Sequence, residues 1–449
     1  MKNHRILWLL LAAAALVLAG CSLFSGKKAD TDEIKKFGLN PDEKVTLTLV
    51  GHLDNFEAMD AVIAKFEQKY PNCTITYQKL EDYLNSLSLR LQNQTADTQM
   101  FISFNSYLRD AHSANADYVL NYKSDPAIDL SAVNPEYLKD AEFSDGVLYC
   151  APLMLNGNVV VVNQTLLEKN GLKIPTTFQE LLDACKVLKA AGYDPIQGYI
   201  AKDPKMVTNI VSSLFIPAIE NQIYHSPDFA KKATSINAYE DSSTDYFAEY
   251  FTKMQTLMDS GYINYENCSS IKDSYEDTIL HFFEGKTPFL FTTAETVSGM
   301  KKRETKSEAF SKTPFTYKVI WSPTGDDGAY GFLKTWRDIS INKKADHTEW
   351  SRAFINFLFK KENLNLLAQT KGLISVSKDA AVDPLYTSLT SLDPGRYCLA
   401  YQVSLKTDPV MSVLARMILP ADNPQHVGSA EEAAAALKQV LADKRTEKK

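Results

Sequence analysis

Between residues 45 and 104 the chain alternates strand and helix signals at short intervals, and this constrains the fold more than any other feature. Val45–Val50 (Val-Thr-Leu-Thr-Leu-Val) reads as a buried strand ending at Gly51-His52. Phe56, Met59, Val62, Ile63, Phe66 and Tyr70 then recur at helical spacing. Pro71-Asn72 breaks that pattern, and Cys73–Tyr77 alternates like a second strand. A polar-faced helix carrying Leu84, Leu87, Leu89 and Leu91 leads to a third strand around Met100–Phe104. Strands separated by single helices do not pair as tight hairpins, so the spacing predicts βαβ units and a mainly parallel sheet.

The middle of the chain adds further elements. Pro152 leads through Asn156-Gly157-Asn158 into an apolar strand, Val159–Val162. Thr177 with Glu180 predicts a capping box for a helix burying Phe178, Leu181, Leu182, Cys185 and Leu188, and Gly192 predicts its C-terminal stop. Glu284-Gly285-Lys286 reads as a turn before the strand Pro288–Phe291. A strand over Asp338–Asn342 precedes a helix with Trp350, Phe354, Phe357 and Leu358 on its apolar face. With 449 residues, two or three domains are expected. The net charge of −7 gives no basic face for a nucleic-acid partner.

The N-terminus reads as a secretion leader. Lys2 and Arg5 precede an apolar run from Ile6 to Ala19, and Leu18-Ala19-Gly20-Cys21 looks like a bacterial lipobox. Residues 1–20 are therefore expected to be a signal peptide and Cys21 a lipidated N-terminus, followed by a flexible tether over 21–43. Loss of the leader leaves a net charge of −9. The remaining cysteines, Cys73, Cys150, Cys185, Cys268 and Cys398, are scattered singly with no metal-ligand spacing. Cys73 and Cys185 read as small buried hydrophobes, and no disulfide framework follows. No Gly-x-Ser-x-Gly elbow, His-Glu-x-x-His pair or Gly-rich phosphate loop lies at a strand–helix junction. The reading is of a non-enzyme without cofactor or metal.

Five blocks in order carry a family resemblance. They are Lys65-Phe66-Glu67-Gln68-Lys69-Tyr70-Pro71; Asp145-Gly146…Tyr149…Pro152; Asn163…Gly171-Leu172…Pro175-Thr176-Thr177-Phe178-Gln179-Glu180-Leu181-Leu182; Phe283-Glu284-Gly285-Lys286-Thr287; and Ile339-Ser340-Ile341-Asn342-Lys343 with Gly372-Leu373-Ile374. In this order they resemble the extracellular solute-binding protein family 1 of ABC importers, the maltose-binding-protein-like group. The chain departs from the pattern at Val162-Asn163, at Phe178, and at Phe291-Thr292-Thr293-Ala294-Glu295, where the family usually carries a Gly-x-Trp turn.

The resemblance implies an α/β, two-lobed periplasmic-binding-protein-like (type II) fold with a hinge and an interlobe ligand cleft. Lobe one is expected to span 44–152 plus 338–380, and lobe two 156–335 plus 385–449. The implied function is capture of a solute, a sugar or oligosaccharide, by lobe closure, and delivery to ABC transporter permease subunits. The protein would act as a monomer anchored by lipid at the outer face of the cytoplasmic membrane. A non-sugar solute (peptide, polyamine, oxyanion) and a two-lobed sensor or adhesin lipoprotein are the alternatives.

A sugar site needs aromatic faces and planar polar groups. By position, the candidates are His52, Asp54 and Asn55 after the first strand, and Asn105, Ser106, Tyr107 and Asp110 after the third. Asn156 and Asn158 lie at the first crossover, Thr292, Thr293 and Glu295 in the altered turn, and Trp336 and Arg337 at the return crossover. Asp54 and Asn55 also suit a helix cap, Asn105 a turn, and Trp336 a packing role. Trp336 as stacking platform and Asn156 as reader of ligand hydroxyls form the sharpest expectation.

Overall fold

The computed structural model describes residues 31–53, 57–93, 96–103, 117–143, 146–201, 209–380, 382–389 and 393–447. Its strands are β1 (Val45–Gly51), β2 (Cys73–Lys79), β3 (Met100–Ser103), β4 (Ala151–Asn163), β5 (Ile196–Gln197), β6 (Phe289–Thr293), β7 (Tyr317–Ile320), β8 (Gly331–Ile341), β9 (Ile374–Ser375) and β10 (Tyr397–Leu399). The chain divides into two compact units, 1–130 with 339–363 and 131–338 with 364–449. The sequence reading placed its lobe divisions at 152–156, 335–338 and 380–385.

In the first unit β1 lies between β2 and β3 and runs parallel to both, with Val45 opposite Cys73 and Leu49 opposite Met100. The βαβ expectation accounts for this order. The helix Glu57–Lys69 and the strand β2 follow β1 as the periodicity predicts. The last residues of β8 sit beside β3, where the Ser103 and Ser340 hydroxyls are 2.9 Å apart and the Tyr122 hydroxyl donates to the Ile339 carbonyl. Trp350 is buried, as its helix face indicated.

Residues 31–37, read as part of a tether, form a helix. Its Glu33 accepts from Lys69 Nζ (2.5 Å), the Tyr70 hydroxyl (2.6 Å) and Lys360 Nζ (2.8 Å). Burial raises the Glu33 carboxyl pKa, but these three donors override it and hold it at about 2. A helix this short is marginal alone, so these charge-assisted bonds and the buried Phe37 fix it in place.

The second unit is organised on β4. All thirteen of its residues are buried. It pairs antiparallel with β6, β7 and β9, while β5 runs parallel to β6, and β10 to β8. The apolar run places the start of this strand at Val159, after Asn156-Gly157-Asn158. Burial on both faces extends it instead. Gly157 stays in the strand because nothing larger fits: a Cβ there would come within 2.7 Å of the Phe332 carbonyl oxygen on the neighbouring β8. β8 also begins earlier than read, at Gly331 rather than Asp338.

The helix Phe178–Ala190 caps nearly as expected. Thr177 Oγ1 accepts from Glu180 N, but the Glu180 carboxylate turns to Thr176 N and Oγ1, one residue further out than a capping box places it. At the other end Gly192 is left-handed, with its N–H bonded to the Lys189 carbonyl and that of Tyr193 to Leu188, a Schellman stop. Cys73, Cys150, Cys185, Cys268 and Cys398 are all buried thiols.

The core of this unit contains one exceptional acid. Glu220, on the helix Asn209–Tyr224, is only 4% exposed; the Thr407 hydroxyl donates to its Oε1, and among the described residues Oε2 has no hydrogen-bond partner. Burial pushes its carboxyl up to about 8. An acid whose folded pKa lies above its unfolded value stabilises most where both states are protonated. That contribution is intact below about pH 4.5 and is lost as pH rises to about 8. Glu220→Gln is therefore expected to flatten the decline in stability over this window and to melt higher than wild type at pH 9. Denaturation followed from pH 5 to 9 checks this, and parallel curves for the two proteins would refute it.

Candidate functional site

Of the fourteen ligand-site candidates, Asp54, Asn55, Asn105, Ser106, Tyr107 and Asp110 lie outside the described residues, as does the lipidation candidate Cys21. His52 belongs to the first unit and packs its ring 5.5 Å from that of Tyr83. Tyr83 itself is structural: it is buried, and its hydroxyl donates to the Ile102 carbonyl. The remaining seven candidates belong to the second unit.

Four of those seven converge. Asn156 is buried in β4, and its Oδ1 accepts from the backbone N–H of Glu295 (3.0 Å) and of Gly157 (2.9 Å). This side chain holds the start of the helix Ala294–Ser298 against β4. The Glu295 carboxylate then divides between two donors. Trp336 Nε1 donates to Oε2 (3.1 Å), and Arg337 Nη2 donates to Oε1 (3.3 Å). Trp336 is 6% exposed, and the Arg337 guanidinium stacks over its indole at 4.2 Å. The indole presents little open face and serves to fix the carboxylate and the guanidinium.

Asn158, Thr292 and Thr293 hold the strands beneath this cluster. Asn158 donates to Ser213 Oγ (3.3 Å), and Ser213 in turn donates to the Thr292 carbonyl (2.6 Å). Register places Asn158 opposite Thr293 and Val159 opposite Thr292. Thr293 caps the helix Ala294–Ser298 by accepting from Thr296 N. The turn that departs from the family pattern is thus a strand end and a helix cap that present Glu295.

Arg337 also has an unusual backbone. It sits inside β8 with φ of +58°, a left-handed conformation that a non-glycine residue rarely adopts in a strand. The local break lets Trp336 and Arg337, adjacent in sequence, both reach Glu295, whereas adjacent residues of a regular strand point to opposite faces.

Residues that the sequence reading passed over extend the cluster. Lys371 Nζ lies 5.7 Å from the Trp336 ring and 6.0 Å from that of Tyr275. The Arg303 guanidinium stacks at 4.7 Å on Tyr275, and its Nε donates to Glu276 (2.6 Å). Gly299 makes room for this packing, since a Cβ there would come within 2.7 Å of the Tyr275 hydroxyl and 2.8 Å of Arg303 Nη1. Burial depresses the Lys371 pKa; Glu295 opposes that shift, and Arg337 and Arg303 add to it. The basic run Lys301-Lys302-Arg303 and the Lys371 that precedes Gly372 were the available signals. Neither has a spacing that announces a site.

Chemically, this cluster offers two carboxylates, Glu276 and Glu295, several cations and two aromatic rings, and among its described residues no nucleophile–base pair. Among the described residues no group of three or more His, Cys, Asp or Glu is placed to hold a metal ion, and no helix is long and apolar enough to cross a membrane.

The fold is that of the two-lobed solute-binding proteins, as three solved structures show. The chain is similar to a family 1 extracellular solute-binding protein from Bifidobacterium longum subsp. infantis (16% identity, TM-score 0.62, 89% of this chain and 100% of that one). It is similar to the solute-binding protein RafE in complex with raffinose (14%, 0.67, 89% and 99%). It is also similar to the sugar transporter protein BL01359 from Bacillus licheniformis in complex with stachyose (16%, 0.59, 88% and 98%). Residues 51–364 match the sequence model of the bacterial extracellular solute-binding proteins, and the chain belongs to that family.

The Glu295 cluster generates a stability prediction. Glu295→Ala removes the acceptor of Trp336 Nε1 and one acceptor of the Arg337 guanidinium, whose side chain is 12% exposed. Leaving such donors unsatisfied costs about 1–3 kcal/mol. Glu295→Gln keeps one of the two acceptor oxygens and is expected to lose less than Glu295→Ala. Urea denaturation of the two variants checks the ranking, and equal losses would show that the carboxylate is not what holds the cluster.

Proposed function

We propose that this protein is a lipid-anchored, extracytoplasmic solute-binding protein that captures a sugar or oligosaccharide by lobe closure and delivers it to an ABC importer permease. The observation that carries the reading is the cluster of Asn156, Glu295, Trp336 and Arg337, whose planar polar groups match the hydroxyl-reading chemistry a sugar demands. Membership of the extracellular solute-binding family supports it, as do the raffinose and stachyose bound by two structural relatives. In this reading the two compact units are the moving lobes, and the left-handed Arg337 lies two residues before the chain passes from the second to the first. Asn156 acts by holding the Glu295 turn, with Glu295 and Arg337 as the hydroxyl-binding groups and Trp336 as their support. His52, Asp54, Asn55, Asn105, Ser106, Tyr107 and Asp110 are proposed as the first lobe's contribution, and Asn158, Thr292 and Thr293 as the frame of the second. Lipidation at Cys21 would keep the monomer at the outer face of the membrane.

Two experiments test this. A ligand that binds only the folded state stabilises it by mass action, so a glycan screen by thermal unfolding is expected to yield a hit raising the Tm. Arg337→Lys should weaken that ligand about tenfold, because an ammonium cannot reproduce the planar fork of a guanidinium. A hit confined to peptides or polyamines would replace the sugar reading. Separately, Cys21→Ser is expected to leave an unprocessed precursor or to release protein into the medium, read by fractionation. A variant that is correctly cleaved and still membrane-bound would refute the lipid anchor.

A further inference from the structure

The second unit holds more positive charge around its candidate site than a neutral sugar requires. Arg303, Tyr275, Lys371, Trp336 and Arg337 form an alternating series of cations and rings, with successive separations of 4.7, 6.0, 5.7 and 4.2 Å. Two carboxylates face it, and each is already committed. Glu276 pairs with Arg303, and Glu295 with Arg337 and the indole N–H of Trp336. The central cation is left over. Lys371 is half-buried, and among the described residues its ammonium has two ring faces beside it but no hydrogen-bond acceptor or ion-pair partner within bonding distance. Lys302 adds a further positive charge close by, within Coulombic reach of Lys371 and Arg303.

An ammonium brings three N–H donors, and one withdrawn partly from water needs acceptors for them. Ring faces offset its charge in part but satisfy none of its donors in full. The neighbouring guanidiniums add like-charge repulsion, which an incoming anion would relieve. The chain as a whole is acidic, at −7, so this concentration of cations is not a reflection of its composition.

We infer that the solute is an acidic glycan, a sugar bearing a carboxylate that docks on Lys371 between the Tyr275 and Trp336 rings. This rests on the sugar-binding reading and narrows it. The carboxylate supplies the missing acceptor, Arg303 and Arg337 flank it, and Tyr275 meets the C–H face of the sugar ring. Glu295 keeps its bonds to Trp336 and Arg337, and its remaining lone pairs accept from sugar hydroxyls.

The test uses the mature full-length protein and matched sugars that differ mainly in the acid group: trigalacturonate with α-1,4-galactotriose, triglucuronate with its neutral gluco counterpart, and trimannuronate with mannotriose. Calorimetry is expected to show at least one acidic member binding about tenfold or more tighter than its neutral partner, with an affinity that falls as salt rises. Lys371→Met should erase the preference while Lys371→Arg keeps it, each checked for folding by melting without ligand. Lys312→Met, at an exposed lysine of the same unit, should change nothing. If neutral sugars bind as well as or better than acidic ones, the inference fails and the sugar-binding reading stands. If neither set binds, both fail. If the acidic preference survives Lys371→Met, Lys371 is not the docking group.

Discussion

The second unit depends on a strand with no exposed face. Because β4 is buried along its whole length, its neighbours β6, β7, β8 and β9 are positioned by backbone pairing and close packing, not by surface side chains. At Gly157 the absence of a side chain lets the β8 backbone lie against β4. Asn156, one residue earlier, converts that rigidity into a site by gripping the Glu295 backbone. The chemistry presented at Glu295, Trp336 and Arg337 is referenced through one side chain to a strand buried along its whole length. A binding group needs this kind of support, since a small displacement of a ligand-reading atom costs much of its selectivity.

Electrostatics divides the molecule into places where charge is closed and a place where it is not. In the first unit Glu33 takes two lysines and a tyrosine and settles at a pKa of about 2. In the second, Lys253 is 7% exposed yet pairs with Glu249 and Asp326 and donates to the Thr324 carbonyl. Glu220 meets its burial by keeping its proton. Each of these is a stable solution to a buried charge. Lys371 is not solved in any of these ways, although it lies within 6 Å of two rings and near two guanidiniums. That contrast is the ground on which a ligand-holding role is proposed for Lys371.

Much of the fold was legible because periodicity and turn chemistry are local. The strand Val45–Val50, the helix before Pro71, the strand from Cys73, the Thr177 cap and the Gly192 stop all lie where residue type alone places them. The failures share a cause. Asn156-Gly157-Asn158 has a turn composition, but tertiary pairing with β6 and crowding against Phe332 keep it extended. The Thr31–Phe37 helix is too short to announce itself, and its stability comes from Lys69, Tyr70 and Lys360, as many as 327 residues away. The candidate site divided in the same way. Glu295, Trp336 and Arg337 could be named because they sit at strand ends in sequence. Tyr275, Arg303 and Lys371 come from three separate segments, and no spacing connects them until the chain is folded.

Arg337 joins the backbone argument to the chemical one. A non-glycine residue at φ +58° within a strand costs about 1–3 kcal/mol and persists only where its surroundings over-determine it. Glycine would adopt the same backbone without that cost, but it would remove the guanidinium that meets Glu295 and covers Trp336. The retained arginine therefore marks a position where side-chain chemistry outweighs backbone comfort. A purely structural kink needs only the conformation, and glycine serves it best. A kink whose residue must also carry a planar cation to a shared carboxylate has no use for glycine. The strain is thus offset by the pairing of Arg337 with Glu295 and its stacking on Trp336, which glycine could not supply.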